Sequence, residues 1–520
     1  MGNNSKKSLI EHFDKNLLNN IKFPIFKNFN SPVEFKNIRK SLESLQNIFK
    51  SINIVKEKQE EIEKTVSKIQ PIINLPFHNN FDYNFLEKEC IVCLELKRNR
   101  IEPVILYEGN NDKCIFHCEK TDGIWRKRHS FSGKNLDWDE RALKLFYDKF
   151  YDYITFIKNS NHEDIDFREA IFPEFIFYFG YTARNVDFSG FSTDEKIVEN
   201  YYNCDNSKPL ILSNKVFIFE NTDFFGRFEI GNIDIKGFNF KNCLFQDNLT
   251  ILNCESNIFD FFNCKVENSL YLVCNTINRG SIIDTSIAQK IYIKSLRGNE
   301  RFSLNEIKIK EIHLKELEKD YTGGFYPEVN INNINIEKGI FVSDNKIKKL
   351  TLEDIYNRNI RIEIIRNLVD ILEIISIDNI DNSLKVINIQ VDKLLNIKNS
   401  TLTSFEFRNC DFSKCKIEIT NSSIANSIFS NVNFGQLSKN RICESLFINK
   451  KFLEAKEIFR QLKANLDEQK DYITANEFYA LEMRAYENYL KHQGWSKNNW
   501  QERLIFTIHK WASNFGQSWI

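Results

Sequence analysis

The sequence lacks several features that would assign it to a common class of protein. It has no excess charge of either sign, since Lys plus Arg and Asp plus Glu each total 71, so no overall field favours nucleic acid or an anionic membrane. No apolar run approaches the roughly 18 residues that cross a bilayer, and the N-terminus has no signal peptide. We therefore expect a cytoplasmic protein whose 12 cysteines are thiols or metal ligands.

Motifs for chemistry are also missing. The sequence contains neither a Walker loop nor G-x-G-x-x-G, and none of its eight histidines lies in a recognisable catalytic motif. These absences predict that the protein is not an enzyme. An enzyme within the first 160 residues stays as a weaker alternative.

The pattern of apolar residues predicts four domains. Residues 1–80 repeat apolar side chains at helical spacing until Pro71, and their Lys/Glu-rich faces indicate a solvated surface or a coiled coil. Residues 81–160 form a cysteine-bearing module that ends in a predicted helix. Residues 161–436 repeat with a period of five, and residues 437–520 are again helical.

The five-residue period belongs to neither a helix nor a single strand. It places Phe238/Phe240 ahead of Cys243/Phe245, and Phe405/Phe407 ahead of Cys410/Phe412. Each unit has a large apolar residue, which a smaller residue often precedes by two positions. Such units predict a wound coil in which both residues point inward, so Phe240, Phe245, Phe407 and Phe412 should fill its lumen.

These units resemble the pentapeptide-repeat proteins. The resemblance implies a right-handed parallel β-helix with about 20 residues per coil, in a mainly β protein with α-helical flanks that cap its ends. Between about Ser281 and Asn399 the units become irregular, and we expect a larger or less regular coil there.

The repeat also predicts the role of its cysteines. Cys243, Cys254 and Cys264 occupy the small inward position, whereas Cys274 is slightly out of phase. Cys243 and Cys264 should stack on one wall as small apolar side chains, with Cys254 on the opposite wall. Asparagines precede these cysteines, at 242, 253 and 263, and are expected at corners where an amide bonds the neighbouring coil.

A second set of cysteines has the spacing of a metal site. Cys90 and Cys93 are followed by Cys114 and Cys118, with His117 beside the last. Four thiolates, or three with the imidazole, would hold a structural zinc ion in tetrahedral geometry. The spacing of Cys114 and Cys118 is one residue too wide for the usual pair, so plain thiols remain the alternative.

The C-terminal region predicts a helical hairpin from Phe452 to Tyr486. Its F-R-Q-L-K and E-F-Y segments resemble the part of bacterial pentapeptide-repeat proteins that precedes a two-helix potassium-channel-like membrane domain. The amphipathic segment L-I-F-T-I-H-K-W would rest on a membrane surface or pack as a cap. By resemblance, the protein would be peripheral to or anchored at the inner membrane, and a continuation beyond Ile520 into membrane helices stays open.

Together these patterns predict a non-enzymatic scaffold that binds protein partners, in a membrane- or channel-associated assembly. The alternative is a DNA-mimic pentapeptide-repeat protein that acts on a topoisomerase. The balanced charge speaks against both that alternative and nucleic-acid binding.

Overall fold

The computed structural model describes residues 85–96, 103–105, 113–120, 126–127, 137–138, 140–162, 164–178, 209–318, 326–356, 360–378, 383–402, 405–436, 442–494 and 500–513. Nearly all of them belong to one compact unit of Tyr83–Leu143, Lys149–Gly180 and Val198–Ile520. A second unit contributes only Lys144–Asp148, within one helix, to the described residues. The helical pattern predicted over residues 1–80 lies outside the described residues.

The described strands form two small antiparallel pairs and one parallel sheet of 23 strands. The small pairs are β1 (Phe85–Glu89) with β2 (Pro103–Ile105), and β3 (Arg126–Lys127) with β4 (Asp137–Trp138). The parallel strands are β5 (Asp164–Asp166), β6 (Ile171–Phe172), β7 (Phe175–Tyr178), β8 (Leu210–Glu220), β9 (Asp223–Phe224), β10 (Phe228–Gly231), β11 (Ile233–Lys241), β12 (Leu244–Phe245), β13 (Leu249–Leu252), β14 (Glu255–Phe262), β15 (Lys265–Val266), β16 (Leu270–Val273), β17 (Thr276–Lys294), β18 (Arg301–Lys315), β19 (Tyr326–Ser343), β20 (Lys346–Tyr356), β21 (Arg361–Ile365), β22 (Leu368–Ile375), β23 (Ser383–Ile387), β24 (Gln390–Lys398), β25 (Glu406–Arg408), β26 (Lys416–Thr420) and β27 (Ile428–Ser430).

The parallel sheet winds into a β-solenoid of about 9 turns. Phe238 pairs with Phe259, and Phe259 pairs with Gly280 on the next coil. The predicted parallel β-solenoid is confirmed, with a coil slightly longer than four units of five.

Two columns of corner residues turn the chain on every coil. One column contains Asn221, Asn242, Asn263 and Asp284, and the other contains Asn232, Asn253, Cys274 and Ser295. Each has a φ between 49° and 59°, a left-handed conformation that asparagine tolerates better than most residues. The amide of Asn242 donates to Oδ1 of Asn221 at 3.0 Å, so the predicted corner and ladder roles of the asparagines are confirmed.

The lumen is filled by the side chains that repeat at fives. Phe240 and Phe245 are fully buried, and Phe407 and Phe412 are each 1% exposed, as predicted. Rings on adjacent coils stack: the centroids of Phe224 and Phe245 lie 4.2 Å apart with nearly parallel planes. This burial of large rings is the main stabilisation that the repeat provides.

The repeat cysteines pack in the lumen as free thiols. Cys243, Cys254 and Cys264 are at most 3% exposed, and the backbone N–H of Cys243 donates to Sγ of Cys264 on the next coil at 3.4 Å. Cys274 is instead a half-buried corner residue. The prediction that Cys243 and Cys264 stack on one wall is confirmed.

The irregular region between Ser281 and Asn399 keeps the same winding with longer coils. Pairs there are offset by 22 residues, as for Asn345 and Asn367, or by 23, as for Lys393 and Asp370. One coil is longer still, since Glu311 and Lys338 meet across 27 residues.

The described helices flank the solenoid. They are α1 (Ile91–Glu95), α2 (Glu140–Lys158), α3 (Glu444–Ile448), α4 (Phe452–Glu468), α5 (Tyr472–Gln493) and α6 (Trp500–Ser513). At the first coil, the ring of Phe150 in α2 stacks on Phe167 with centroids 5.2 Å apart. The predicted C-terminal hairpin is formed by α4 and α5, which pack together.

Helix α4 and its C-cap residue, Gln469, cover the open edge of the last coils with polar side chains. Oε1 of Gln461 accepts the backbone N–H of Ile424 at 2.9 Å, and Oε1 of Gln469 accepts that of Phe429 at 2.8 Å. Nδ2 of Asn465 donates to the carbonyl of Ile424. These bonds satisfy backbone groups that would otherwise form a free sheet edge, so the predicted cap is present.

No helix among the described residues has both the length and the hydropathy to span a membrane. Trp495 and Trp519, which belong to the predicted aromatic-rich terminus, lie outside the described residues. The predicted domain boundaries near residues 80, 160 and 436 stay predictions.

Candidate metal centre

Two short turns bring four possible ligands together near the first coil. Cys90 immediately precedes α1 and Cys93 lies within it, where the N–H of Leu94 donates to the carbonyl of Cys90 at 3.1 Å. Cys114 and His117 lie in a second tight turn, in which the N–H of His117 donates to the carbonyl of Cys114 at 3.1 Å. Each turn directs two side chains toward the same point.

Four of the six separations among the ligand atoms match a tetrahedral site. Nδ1 of His117 lies 3.4 Å from Sγ of Cys90, 3.6 Å from Sγ of Cys93 and 3.3 Å from Sγ of Cys114. The Cys93 and Cys114 sulfurs lie 3.8 Å apart, and all four atoms fall within 4.8 Å of one another. Tetrahedral zinc, with bonds of about 2.0–2.3 Å, requires ligand separations of about 3.3–3.8 Å. The donor set therefore fits zinc.

The thiols of this cluster differ in how readily they lose a proton. Hydrogen bonds from the Cys114 and Cys93 side chains lower the pKa of Cys90 well below its ordinary value, whereas burial raises the pKa of Cys114. The Cys90 sulfur therefore carries a negative charge more readily than the Cys114 sulfur. Binding of a divalent ion would displace the remaining protons.

His117 is oriented by a contact outside the cluster. Its Nε2 lies 3.2 Å from the carbonyl oxygen of Arg168, which only an N–H at Nε2 can satisfy. The lone pair of a neutral imidazole then lies on Nδ1 and faces the sulfurs, as a ligand requires.

Arg168 also ties the cluster to the first coil of the solenoid. Its guanidinium pairs with the carboxylate of Asp166 at 2.7 Å, and its NH2 group donates to the carbonyl of Leu96 beyond α1 at 3.2 Å. The backbone N–H of Ile171 donates to the carbonyl of Phe116 at 2.7 Å. Both ligand-bearing turns therefore contact the same coil.

Cys118, predicted as the fourth ligand, lies outside the cluster of four possible ligand atoms. Its Sγ donates to the carbonyl of Ile115 at 3.6 Å and accepts from Nζ of Lys120 at 3.3 Å. The structure thus assembles the alternative set of three cysteines with the imidazole. The signal was present in the sequence, since Cys114 and His117 are separated by two residues, as are Cys90 and Cys93.

Two surface features lie outside the candidate metal site. An outer aromatic row, defined as Tyr271, Tyr292, His313 and Phe341, runs across four successive coils, with His313 and Phe341 stacked at 4.7 Å. Helix α6 exposes one apolar face, formed by Trp500, Leu504, Ile505, Ile508 and Trp511.

Comparisons with protein-family profiles, with curated protein sequences and with solved structures find no match. The likeness to pentapeptide-repeat proteins therefore rests on the five-residue units of the sequence, and the structure supports the broader class of repeat β-solenoids.

Proposed function

We propose that this protein is a non-enzymatic scaffold whose solenoid binds protein partners on its outer faces. The observation that carries the proposal is the outer aromatic row, which is only partly covered: the His313 side chain is 31% exposed. Tyrosine and other aromatic residues contribute much of the binding energy at protein interfaces. The lumen, by contrast, is filled by apolar side chains.

The charges on the outside of the solenoid favour a scaffold over a DNA mimic. Lysine or arginine on one coil pairs with a carboxylate on the next, as in Lys241 with Glu220 at 2.7 Å and Lys393 with Asp370 at 2.6 Å. A DNA mimic would instead require a face of one sign. Topoisomerase inhibition by the full chain at stoichiometric concentration would support the mimic and contradict the scaffold.

Affinity capture with surface variants tests the scaffold. Partners captured by the wild-type full chain, and quantified by mass spectrometry, should be lost with the double variant Tyr292→Ala/Phe341→Ala. They should be retained with Phe262→Ala, which removes an exposed ring, 43% accessible, outside the row. Capture that is identical for all three proteins would contradict a binding role for the row.

The cluster of Cys90, Cys93, Cys114 and His117 is proposed to bind one structural zinc ion, which joins the N-terminal module to the solenoid. The four buried ligand atoms support this assignment. Elemental analysis of the full chain should give one zinc per chain. Cys114→Ser should abolish binding and Cys118→Ser should retain it; equal loss in both variants, or no zinc in the wild type, would overturn the assignment.

Helix α6 supports a second proposal, association with a membrane surface at the cytoplasmic side of the inner membrane. Trp511 is 83% and Ile505 68% exposed, whereas Phe506 packs on Tyr486 of α5 at 5.5 Å. An apolar helix face that ends in tryptophans is typical of interfacial helices. Linkage to a channel rests on the sequence resemblance alone.

Vesicle sedimentation tests this proposal. The full chain should bind vesicles of phosphatidylglycerol and phosphatidylethanolamine, and Ile505→Glu/Trp511→Glu should lose binding at least about tenfold, because charges do not enter the apolar boundary. Ile473→Glu changes a residue that is equally apolar and 80% exposed on α5, and should bind normally. A wild-type chain that stays in solution would exclude the membrane proposal.

A further inference from the structure

Lys120 is a fully buried lysine in the turn that carries two of the proposed metal ligands. Its Nζ donates to the carbonyls of Ile115 and Cys118, each at 2.7 Å, and to Sγ of Cys118 at 3.3 Å. These bonds close the loop between Cys114 and Lys120. The ammonium is therefore fixed within the turn that carries Cys114 and His117.

The charge of the proposed site gives this ammonium a second role. A zinc ion with three thiolates and a neutral imidazole carries a net charge of about −1. Burying an uncompensated charge is strongly unfavourable, and all four ligands are buried. A lysine in the same buried turn supplies the opposite charge.

The electrostatics of Lys120 agree with this role. Burial lowers the pKa of Lys120, and attraction to the sulfurs of Cys118 and Cys114 opposes that effect.

We propose that Lys120 is a positioning residue that raises zinc affinity by balancing the negative charge of the three-cysteine, one-histidine site. The inference rests on the zinc proposal above. It differs from a purely structural role for Lys120, in which only the hydrogen bonds to Ile115 and Cys118 would matter.

Zinc competition on the full chain tests the inference. Zinc alone is the probe, and its transfer to a chromophoric chelator gives the affinity of the wild type and of Lys120→Met, Lys120→Gln and Lys120→Arg. Lys215→Met is the matched control, because Lys215 is buried near the same coil and donates to the carbonyl of Ser160 at 2.8 Å. Circular dichroism of each zinc-loaded protein checks that it is folded.

The expected losses of zinc affinity follow from the charge of the Lys120 side chain. Lys120→Met and Lys120→Gln should both weaken zinc binding about 10–100-fold, the range seen for residues that support metal ligands. Lys120→Arg should stay within about threefold of the wild type, as should Lys215→Met.

Three results would overturn the inference while the zinc proposal stands. The first is that Lys120→Met binds zinc as tightly as the wild type. The second is that Lys120→Gln does so, which would show that hydrogen bonds suffice. The third is that Lys215→Met weakens zinc binding as much as Lys120→Met does. A wild-type chain without stoichiometric zinc would reject both proposals. If Lys120→Arg does not fold, the comparison of Lys120→Gln with Lys215→Met decides between charge and general destabilisation.

Discussion

Nδ2 of Asn465 donates a 2.8 Å hydrogen bond to the carbonyl oxygen of Ile424, in the last part of the solenoid. Asn465 is 3% exposed, so this bond is made where bulk water has little access. The relationship shows how a helix can end a sheet: side chains of α4 take the place of the next strand.

The first prediction concerns this contact. Asn465→Ala should destabilise the C-terminal coils by about 1–3 kcal/mol, because it leaves a buried carbonyl without a donor. Hydrogen exchange, followed by mass spectrometry, should rise in peptides from residues 416–430. Glu468→Ala, at an exposed position on the same helix, should leave exchange unchanged; equal protection in both variants would mean that the bond does not hold the cap.

The second prediction concerns the corner columns. Asn253 has φ 50° and donates to Oδ1 of Asn232 at 3.2 Å. Asn253→Gly loses the ladder bond but keeps the left-handed backbone, whereas Asn253→Val also adds about 1–2 kcal/mol of backbone strain. In urea denaturation, the valine variant should therefore be less stable than the glycine variant by about that amount. Equal stability would show that the corner conformation carries little energy.

The same corners explain which parts of the solenoid the sequence predicts well. Where asparagine occupies both columns, as at residues 221–263, the five-residue pattern is plain. Beyond Cys274 the corners pass to Ser295, Glu306 and Glu316 with the same positive φ. The solenoid continues there although the five-residue pattern becomes hard to recognise in the sequence. Packing in the lumen and the backbone hydrogen bonds between coils outweigh the small conformational cost of serine or glutamate at a corner.

The candidate metal site was harder to predict than the fold for a different reason. The spacing of the cysteines predicts that Cys90, Cys93 and Cys114 lie together, as they do in the structure. The directions of the His117 and Cys118 side chains depend instead on the tight turn that follows Cys114. One residue along that turn separates His117, which faces the sulfurs, from Cys118, which faces Lys120. Nothing in the local sequence predicts that Arg168 contacts Leu96, 72 residues away. The same holds for the polar side chains of α4 that contact the last coils.

The third prediction tests the lumen. Phe240→Ala should cost about 3–5 kcal/mol, since the ring is fully buried and stacks on Phe219 at 4.8 Å. Phe262→Ala removes the same atoms from an exposed position and should cost less than about 1 kcal/mol. Equilibrium denaturation of both variants in urea gives the comparison. Similar losses at the two positions would contradict the assignment of inward and outward residues.

The fourth prediction concerns the reactivity of the lumen thiols. Burial raises the pKa of Cys254 and of Cys410 from 9.0 to about 12, so almost no thiolate is present at pH 8, and the thiolate is the nucleophile. Peptides containing either residue should stay unlabelled by iodoacetamide in the native protein and become labelled in guanidinium chloride. Rapid native labelling of Cys254 would place this side chain outside the lumen.

The same thiols give the solenoid a dependence on alkaline pH. An unfolded chain releases their protons near pH 9 and the folded chain only near pH 12, so the stability they contribute is complete below pH 9 and declines as pH rises through this window. The double variant Cys254→Ala/Cys410→Ala lacks these titrations. Its urea midpoint should therefore fall less than that of the wild type between pH 9 and pH 11, and parallel declines in the two proteins would show that other groups control alkaline unfolding.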